Sequence, residues 1–235
     1  MSATSTLIVL QARMGSQRCP GKVLAPLASH PLVEFCIVRL RAAGVAPVVL
    51  ATTTQPEDAV LLALGRALGI ETYAGPVHDV LARYAEVARA HPDARYVVRA
   101  TGDNPFVDID APGRVLKALV HGADYAVEEA LPLGAAVEGM RRDVLLQAHR
   151  EAATPYDREH VTPWIRRADG IVRALPTAPD DVRAPDVRLT VDTPTDLAFA
   201  RRLASGLLAG GGDPRLAPLR AVIDLARHLP SREVA

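Results

Sequence analysis

The sequence predicts an α/β fold, a three-layer sandwich in which helices cover both faces of a mostly parallel sheet. Short apolar runs alternate with segments of helical periodicity over the first hundred residues. Gly and Pro mark the boundaries of these segments. The chain has 235 residues, of which 49% are hydrophobic, so one large domain can bury a substantial core.

The first strand and the first helix are separated by a glycine-containing loop. Residues 7–10 form a short apolar run that predicts a buried strand, and residues 11–21 form the loop. Pro31 suits the start of a helix, since its fixed φ is already close to helical. Apolar residues at helical spacing follow it, and Gly44 ends the helix.

The same alternation continues to about residue 100. The apolar runs are too short for helices and are bounded by Gly, Pro or Thr, which predicts strands. The longer stretches between them carry apolar residues at helical spacing, and Gly69 closes one of them. The predicted elements, in chain order, are a strand at 47–51, a helix at 56–68, a strand at 70–73, a helix at 79–89 and a strand at 95–100.

Beyond Asp124 the pattern is looser. Residues 124–140 contain short apolar pieces that favour strands, and three glycines from Gly210 break the chain after a last long helix. We therefore expect one domain over residues 1–210 and a short helical C-terminal tail over 211–235. The other elements predicted here are helices at 141–153, 157–168 and 194–208 and strands at 171–175 and 187–191.

Composition narrows the class of function. The 27 basic and 27 acidic residues balance, which argues against a protein that binds nucleic acid through bulk positive charge. Cys19 and Cys36 have no zinc-ligand pattern around them and are expected to be free thiols. No apolar stretch is long enough for a signal peptide or a membrane span. We expect a cytoplasmic protein with neither a nucleic-acid nor a membrane partner.

Positive charge is concentrated in the loop after the first strand, QARMGSQRCPGK. Arg13, Arg18 and Lys22 lie within ten residues, and Lys22 is one of only two lysines in the chain. Gly15 allows close approach of the backbone, and N–H groups around Ser16 can point inward. Arg and Lys both bind phosphate oxygens, so the loop suits a triphosphate. A basic surface turn with a flexible glycine is the alternative, since the Rossmann and Walker spacings are absent.

Two aspartates follow predicted strands. Asp103 lies in TGDNP and Asp192 in LTVDTPTD. Because the carboxyl ends of parallel strands meet at one edge of a sheet, both carboxylates can reach the basic loop. Magnesium often takes one or two carboxylates plus substrate phosphates, so the pair predicts a magnesium site. The alternatives are an Asx turn at Asp103 and a helix N-cap at Asp192 or Thr193.

Six segments, taken together, carry a family resemblance. In chain order they are QARMGSQRCPGKVLAPL, ATTT, DVLARY, VVRATGDNPFVD, REHVTPWIRR and RLTVDTPTDL. They resemble the cytidylyltransferases, most closely the spore-coat polysaccharide biosynthesis protein F group. That group is related to the 3-deoxy-manno-octulosonate and acylneuraminate cytidylyltransferases. The resemblance runs from about residue 7 to about residue 203.

The resemblance implies a nucleotide-diphospho-sugar transferase (GT-A-like) fold. It also implies an enzyme that transfers CMP from CTP to an acidic sugar or a similar small anionic acceptor and releases pyrophosphate. Asp103 and Asp192 would hold Mg²⁺, and Lys22, Arg13 and Asp103 would carry the catalysis. The residues implied in nucleotide binding are Arg13, Gly15, Ser16, Arg18, Lys22, Thr53, Asp79, Arg83, Thr101 and Gly102.

The acceptor side is less defined by the resemblance. Glu138, Glu159 and His160 fall where the acceptor would be expected, and residues 124–185 would form an acceptor or dimerisation lobe of a homodimer. The stretch EEALPLGAAVE at 128–138 is less polar than in relatives, which leaves a sugar acid and a small phosphonate both open. Rival interpretations are a glycosyltransferase of the same fold that uses a nucleotide-sugar donor, and a non-catalytic nucleotide sensor.

Overall fold

A computed structural model describes residues 5–229 of the chain. The strands are β1 (Thr6–Gln11), β2 (Pro26–Leu27), β3 (His30–Pro31), β4 (Val48–Thr53), β5 (Glu71–Gly75), β6 (Tyr96–Thr101), β7 (Tyr125–Val127), β8 (Glu138–Arg141) and β9 (Arg173–Ala174). Within the described range, seven of them form one sheet in the order β5-β4-β1-β6-β8-β7-β9, and β2 pairs with β3. Neighbours in the set β5, β4, β1 and β6 are parallel, whereas β8 is antiparallel to both β6 and β7.

Helices lie on both faces of the sheet. They are α1 (Leu32–Ala42), α2 (Ala59–Ala67), α3 (Val80–Ala90), α4 (Ala111–Val120), α5 (Arg142–Glu151), α6 (Pro155–His160), α7 (Pro163–Arg167), α8 (Pro194–Ala209) and α9 (Leu219–His228). Each strand and helix predicted before residue 100 is present, with small shifts at its ends. The helix predicted from Pro56, for example, begins as a 3₁₀ turn at Pro56–Asp58 before α2.

Alternating side chains of β1 divide the core into two layers. Ile8 and Leu10 pack with buried residues of α1, α4, α8 and α9. Leu7 and Val9 pack with buried residues of α3, α5 and α7 on the other face. Successive side chains of a strand point to opposite faces, so a strand that is apolar throughout must be covered on both. The predicted three-layer α/β sandwich is confirmed.

Two predictions in the second half of the chain are wrong. The helix at 157–168 is divided into α6 and α7, because Val161 adopts a φ of 71° at the end of α6 and redirects the chain. Residues 187–191 form no strand of the sheet beyond an isolated bridge to Leu133. Their backbone N–H groups instead bond to the loops that surround the site.

The chain beyond residue 210 packs on the same core. Leu219, Val222 and Ile223 of α9 are at most 3% exposed. The fully buried guanidinium of Arg39 in α1 donates to two carbonyl oxygens of this segment, that of Arg215 at 3.1 Å and that of Ala217 at 2.8 Å. In the part of the chain from 5 to 229, no helix has the length and apolarity that a membrane span requires.

Candidate active site

A cleft of about 760 Å³ opens at the carboxyl ends of β1 and β6. Ligands of parallel sheets bind at this edge, because the loops that leave the strands converge there. Eleven of the predicted site residues line the cleft. They are Arg13, Ser16, Arg18, Lys22, Arg83, Thr101, Gly102, Asp103, Glu159, His160 and Asp192.

Lys22 lies between Asp103 and Asp192, the two predicted metal ligands. Its Nζ lies 3.4 Å from Oδ2 of Asp103 and 3.6 Å from Oδ1 of Asp192. The same ammonium donates to the carbonyl oxygen of Val191 at 2.6 Å. Only 10% of the lysine side chain is exposed, so its charge is poorly screened by water. Two carboxylates that are far apart in the sequence therefore face one half-enclosed cation.

Asp192 is also bound by two arginines. Arg18 donates to its Oδ1 at 2.9 Å, and Arg188 donates to its Oδ2. The Arg18 side chain is 68% exposed, so this ion pair is weak and easily exchanged for a phosphate contact. The Asp192 backbone is held in turn, since Val191 donates to the carbonyl oxygen of Asp103 at 2.9 Å. This bond, rather than a strand, brings the two acids together.

The basic loop is fixed at Met14. Its carbonyl oxygen accepts from Ser16 N–H at 2.8 Å and from Gly21 N–H at 3.1 Å. Its own N–H donates to Oδ1 of Asp58 at 2.6 Å, and Asp58 is 1% exposed. Gly21 has a φ of 69°, which favours glycine. Gly15 lies outside the cleft lining and has open space around it, so no contact in the structure requires glycine there.

The end of β6 presses against the start of the loop. A Cβ on Gly102 would lie 2.7 Å from the Cβ of Ala12 and 2.9 Å from the carbonyl oxygen of Gln11. The Gly102 N–H donates to that oxygen at 2.7 Å. Only glycine fits this approach, so Gly102 holds the loop close to Asp103 through its lack of a side chain.

Thr53 and Asp79 do not line the cleft. Thr53 is buried and donates its hydroxyl to Asp58, the residue that anchors the loop. Asp79 caps α3 by accepting from Ala82 N–H at 2.7 Å, and it forms an ion pair with Arg158 at 3.3 Å. Both side chains therefore support the walls of the site.

Glu138 lies beneath the cleft. It forms an ion pair with Arg99 and accepts hydrogen bonds from the hydroxyls of Tyr125 and Thr162, the latter at 2.8 Å. Burial by itself would raise the pKa of Glu138, but Arg99 and the two hydroxyls outweigh it and lower that pKa. Of the ion pair between Arg99 and Glu138, Arg99 lines the cleft and Glu138 does not.

The short helix α6 supplies the opposite rim. Glu159 lies 3.8 Å from Arg13, and the ring of His160 lies 4.5 Å from the ring of Tyr156. Asp157 anchors this helix. It is fully buried and accepts a hydrogen bond from Arg167 at the end of α7. The hydrogen bonds from Arg167 are the main reason that the pKa of Asp157 is lowered to about 2.

Comparisons with known proteins agree with this geometry. The sequence model of the cytidylyltransferase family matches residues 7–216. The spore coat polysaccharide biosynthesis protein SpsF of Bacillus subtilis (strain 168) is 35% identical over 205 residues, which cover 84% of this chain and 85% of that protein. The chain belongs to the cytidylyltransferase family.

Two further comparisons extend this result. The 3-deoxy-manno-octulosonate cytidylyltransferase of Halorhodospira halophila is 35% identical over 179 residues, 73% of this chain and 68% of that protein. A cytidylyltransferase structure from Leptospira borgpetersenii superposes with a TM-score of 0.85 at 22% identity and covers 95% of this chain and 94% of that one. The resemblance seen in the sequence segments is thus confirmed, and the protein is a nucleotidyltransferase.

Asp108 and Asp110 have the Asp-x-Asp spacing of a glycosyltransferase metal motif, but neither residue lines the cleft. Asp108 is 3% exposed and pairs with Arg114, which also binds the buried Glu128. Asp110 is the residue before α4. Both carboxylates of a metal motif would have to face the substrate, so these acids give no support to a glycosyltransferase.

The donor set of the cleft fits a magnesium ion. In the described part of the chain, no three His, Cys, Asp or Glu side chains are grouped to hold a metal. Asp103 and Asp192 instead offer hard carboxylate oxygens beside a basic loop, and Mg²⁺ commonly completes such a pair with water and substrate phosphates. Asp103 is 32% exposed, which leaves its oxygens accessible from the cleft.

The sequence did not predict Gln11, Arg99 or Asn104, which line the cleft together with the predicted Arg83. Between residues 5 and 229, six buried side-chain atoms lack a hydrogen-bond partner, and four belong to residues that line the cleft. Such atoms are rare in native proteins, and those that line a cleft are candidates for contact with a ligand or with water. They are Oε1 of Gln11, Nε of Arg83, Nε of Arg99 and Oδ1 of Asn104. Gln11 and Asn104 flank strand ends that the sequence identifies, whereas Arg99 lies inside β6 and gives no local signal.

Proposed function

We propose that this cytidylyltransferase transfers CMP from CTP to a small anionic acceptor, with an acidic sugar as the leading class, and releases pyrophosphate. One observation carries the proposal. The Lys22 ammonium lies within 3.6 Å of both Asp103 and Asp192, at the mouth of a basic loop. The names of the relatives support the acceptor class, because one acts in spore coat polysaccharide biosynthesis and another on 3-deoxy-manno-octulosonate.

In the proposed reaction an acceptor oxygen attacks the α-phosphorus of CTP in line with the leaving pyrophosphate. The new phosphorus–oxygen bond forms as the bond to the bridging oxygen of the β-phosphate breaks, and an acceptor that reacts through a hydroxyl group loses its proton to water in the open cleft. The loop residues Arg13 and Arg18 bind the phosphate chain, and Lys22 offsets the negative charge that grows on the departing pyrophosphate. Asp103 and Asp192 would hold a magnesium ion, which would supply charge neutralisation at the phosphates.

Positioning carries most of the rate enhancement in this scheme. The loop is fixed by the bond from Met14 N–H to Asp58, and Asp192 is fixed by Arg188 and by the preceding backbone bond to Asp103. Groups that are held before the substrate arrives need no reorganisation during the reaction. His160 faces the same cleft, and we assign it to acceptor binding.

The test is pyrophosphate release by the purified protein with Mg²⁺ and CTP, UTP, GTP or ATP. The acceptors are 3-deoxy-manno-octulosonate, N-acetylneuraminate and 2-aminoethylphosphonate, and phosphorus NMR of the product identifies the new linkage. We expect pyrophosphate release with CTP and one of these acids. The rate of release should fall by about 100- to 1,000-fold in Asp103→Asn. An active enzyme that prefers another nucleotide, or activity that is unchanged in Asp103→Asn, contradicts the proposal.

We also propose a homodimer formed through residues 124–185. Val172 and Leu175, next to the two-residue edge strand β9, are 58% and 50% exposed. Exposed apolar side chains beside a sheet edge favour association. Light scattering coupled to size exclusion should give twice the 25.0 kDa chain mass, and Val172→Glu should return it to the monomer value. A wild-type monomer at micromolar concentration refutes this arrangement.

A further inference from the structure

Arg99 is an arginine inside a buried strand whose side chain reaches the cleft. It belongs to β6, between Val98 and Ala100, and its side chain is 17% exposed. Within residues 5–229 its hydrogen-bond partner is Glu138, which accepts from one terminal nitrogen. The Nε is buried and has no partner. A buried charged group with donors left over is costly to a protein unless something completes it.

Glu138 fixes the orientation of this guanidinium. One carboxylate oxygen accepts from Arg99, and the other accepts from both Tyr125 and Thr162. Burial would lower the pKa of Arg99, but Glu138 outweighs this effect and raises it. Both partners are therefore charged at neutral pH. Because the carboxylate is held from both sides, it cannot swing to cover the remaining donors of Arg99.

The position of Arg99 separates it from the basic loop. The loop leaves β1, whereas Arg99 lies on β6 and is joined to Glu138 on β8, on the far side of β6 from β1. Thr101 ends β6 two residues later, so Arg99 lies roughly 7 Å along the strand below the edge where Asp103 follows. The Arg99 side chain lines the cleft together with Asp103, so its guanidinium extends from that strand position toward the reacting centre. In a sugar acid such as 3-deoxy-manno-octulosonate the carboxylate is bonded to the carbon that carries the attacking hydroxyl, and in a phosphonate the attacking oxygen belongs to the anion itself. An acceptor that reacts near Asp103 therefore presents its anionic group to this wall of the cleft.

We propose that Arg99 binds the anionic group of the acceptor, a carboxylate or a phosphonate, and that Glu138 is a positioning residue that acts through it. The inference rests on the proposed function and adds the residue that selects an anion. A planar guanidinium with several free donors matches either oxyanion by paired hydrogen bonds. The proposal changes the predicted role of Glu138, which would orient the binding residue without touching the acceptor.

The test pairs a change in ligand charge with a change in protein charge. Calorimetry measures acid binding to protein that is already saturated with Mg²⁺ and α,β-methylene CTP, which cannot transfer CMP. The ligands are 3-deoxy-manno-octulosonate beside its methyl ester and 2-aminoethylphosphonate beside its dimethyl ester, so that each ester lacks the anionic group. The variant is Arg99→Met with Glu138→Gln, which removes both charges together and leaves no unpaired buried carboxylate. Arg142→Met is the matched control, since Arg142 is half-buried outside the cleft and donates to the carbonyl oxygen of Ala88 at 2.7 Å.

We expect the wild type and Arg142→Met to bind one acid about 30- to 100-fold more tightly than its ester. The double variant should bind acid and ester alike, with its affinity for the CTP analogue unchanged. Which acid is preferred tells a sugar carboxylate from a phosphonate. In turnover, Glu138→Gln alone should raise KM for the acid about tenfold without raising KM for CTP.

Three results overturn the inference. The first is a double variant that still discriminates acid from ester. The second is a double variant that no longer binds the CTP analogue, which would place Arg99 in the nucleotide site. The third is a wild type that binds neither acid. In that case the affinity for the CTP analogue and the pyrophosphate assay still decide separately whether the protein is a cytidylyltransferase acting on another acceptor.

Discussion

Replacing Lys22 by methionine removes the cation between Asp103 and Asp192 and keeps much of the side-chain volume. The ammonium lies 3.4 Å and 3.6 Å from the two carboxylates and 2.6 Å from a backbone carbonyl oxygen. Breaking a fully buried ion pair costs about 3–5 kcal/mol. Here the two acids are 32% and 20% exposed, and Asp192 keeps its arginines. We therefore expect the free energy of unfolding to fall by about 1–2 kcal/mol, and Tm by roughly 2–8 °C.

The effect on turnover should be larger than the effect on stability. Lys22 faces the position where charge builds on the leaving pyrophosphate, and loss of one such group costs about 100- to 1,000-fold in kcat. Divalent-ion binding to the free protein should not weaken, because the two carboxylates lose a cation that competes for the same oxygens. This difference in the responses of turnover and metal binding distinguishes a catalytic lysine from a purely structural one.

The assay compares Lys22→Met with Lys117→Met, the change at the only other lysine, which is exposed on α4. Pyrophosphate release measures kcat and KM for CTP, Mn²⁺ titration followed by electron paramagnetic resonance measures ion binding, and thermal unfolding measures stability. Lys117→Met should match the wild type in all three. A Lys22→Met protein that keeps kcat within threefold of wild type would refute the catalytic role. Loss of Mn²⁺ binding together with turnover would show that the lysine only assembles the acids.

Three other changes probe the supports of the site. Asp58→Ala leaves a loop N–H without its acceptor, so KM for CTP should rise about tenfold and stability should fall by about 1–3 kcal/mol, as measured by nucleotide titration and denaturant unfolding. Asp157 has a folded pKa of about 2 against 3.8 unfolded, so its stabilising effect is present above about pH 4 and is lost as pH falls toward 2. Unfolding of Asp157→Asn should therefore depend less on pH in that window, and an unchanged slope would refute the assignment. Gly134→Ala adds a Cβ 2.5 Å from a backbone nitrogen at a φ of 97° and should lower Tm more than Gly170→Ala, where φ is 75° and the space is open.

The elements of the first half of the chain were predictable because each carries its own local signal. Apolar runs bounded by Thr, Gln or Pro give β1 and β4, and Gly44 and Gly69 end helices where the backbone needs a positive φ. The strand predicted at 187–191 was wrong for a physical reason. Its apolar residues are buried, as a strand requires, but its backbone bonds to Leu133 and Asp103 rather than to the sheet. Burial is visible in sequence, whereas the hydrogen-bond partner is not.

The residues of the site also differ in whether the sequence could predict them. Lys22, Asp103 and Asp192 were predictable, because each lies in a loop that follows or precedes a recognisable element and carries the charge that phosphate or metal binding needs. Arg99 was not, and Glu138 was assigned to the acceptor site only through the family resemblance. Both lie inside strands, where a charged residue is ordinarily expected to face solvent, and their pairing depends on the antiparallel register of β6 and β8.

The sequence by itself determined the α/β class, the cationic loop and the two acids, because these depend on residue type and on neighbours a few positions away. Tertiary structure alone decided that Lys22 lies between those acids, that Asp58 anchors the loop, and that Arg99 rather than Glu138 faces the cleft. Each of these facts is a contact between segments many residues apart. Such contacts follow from strand order and register, which the packing of the whole chain sets.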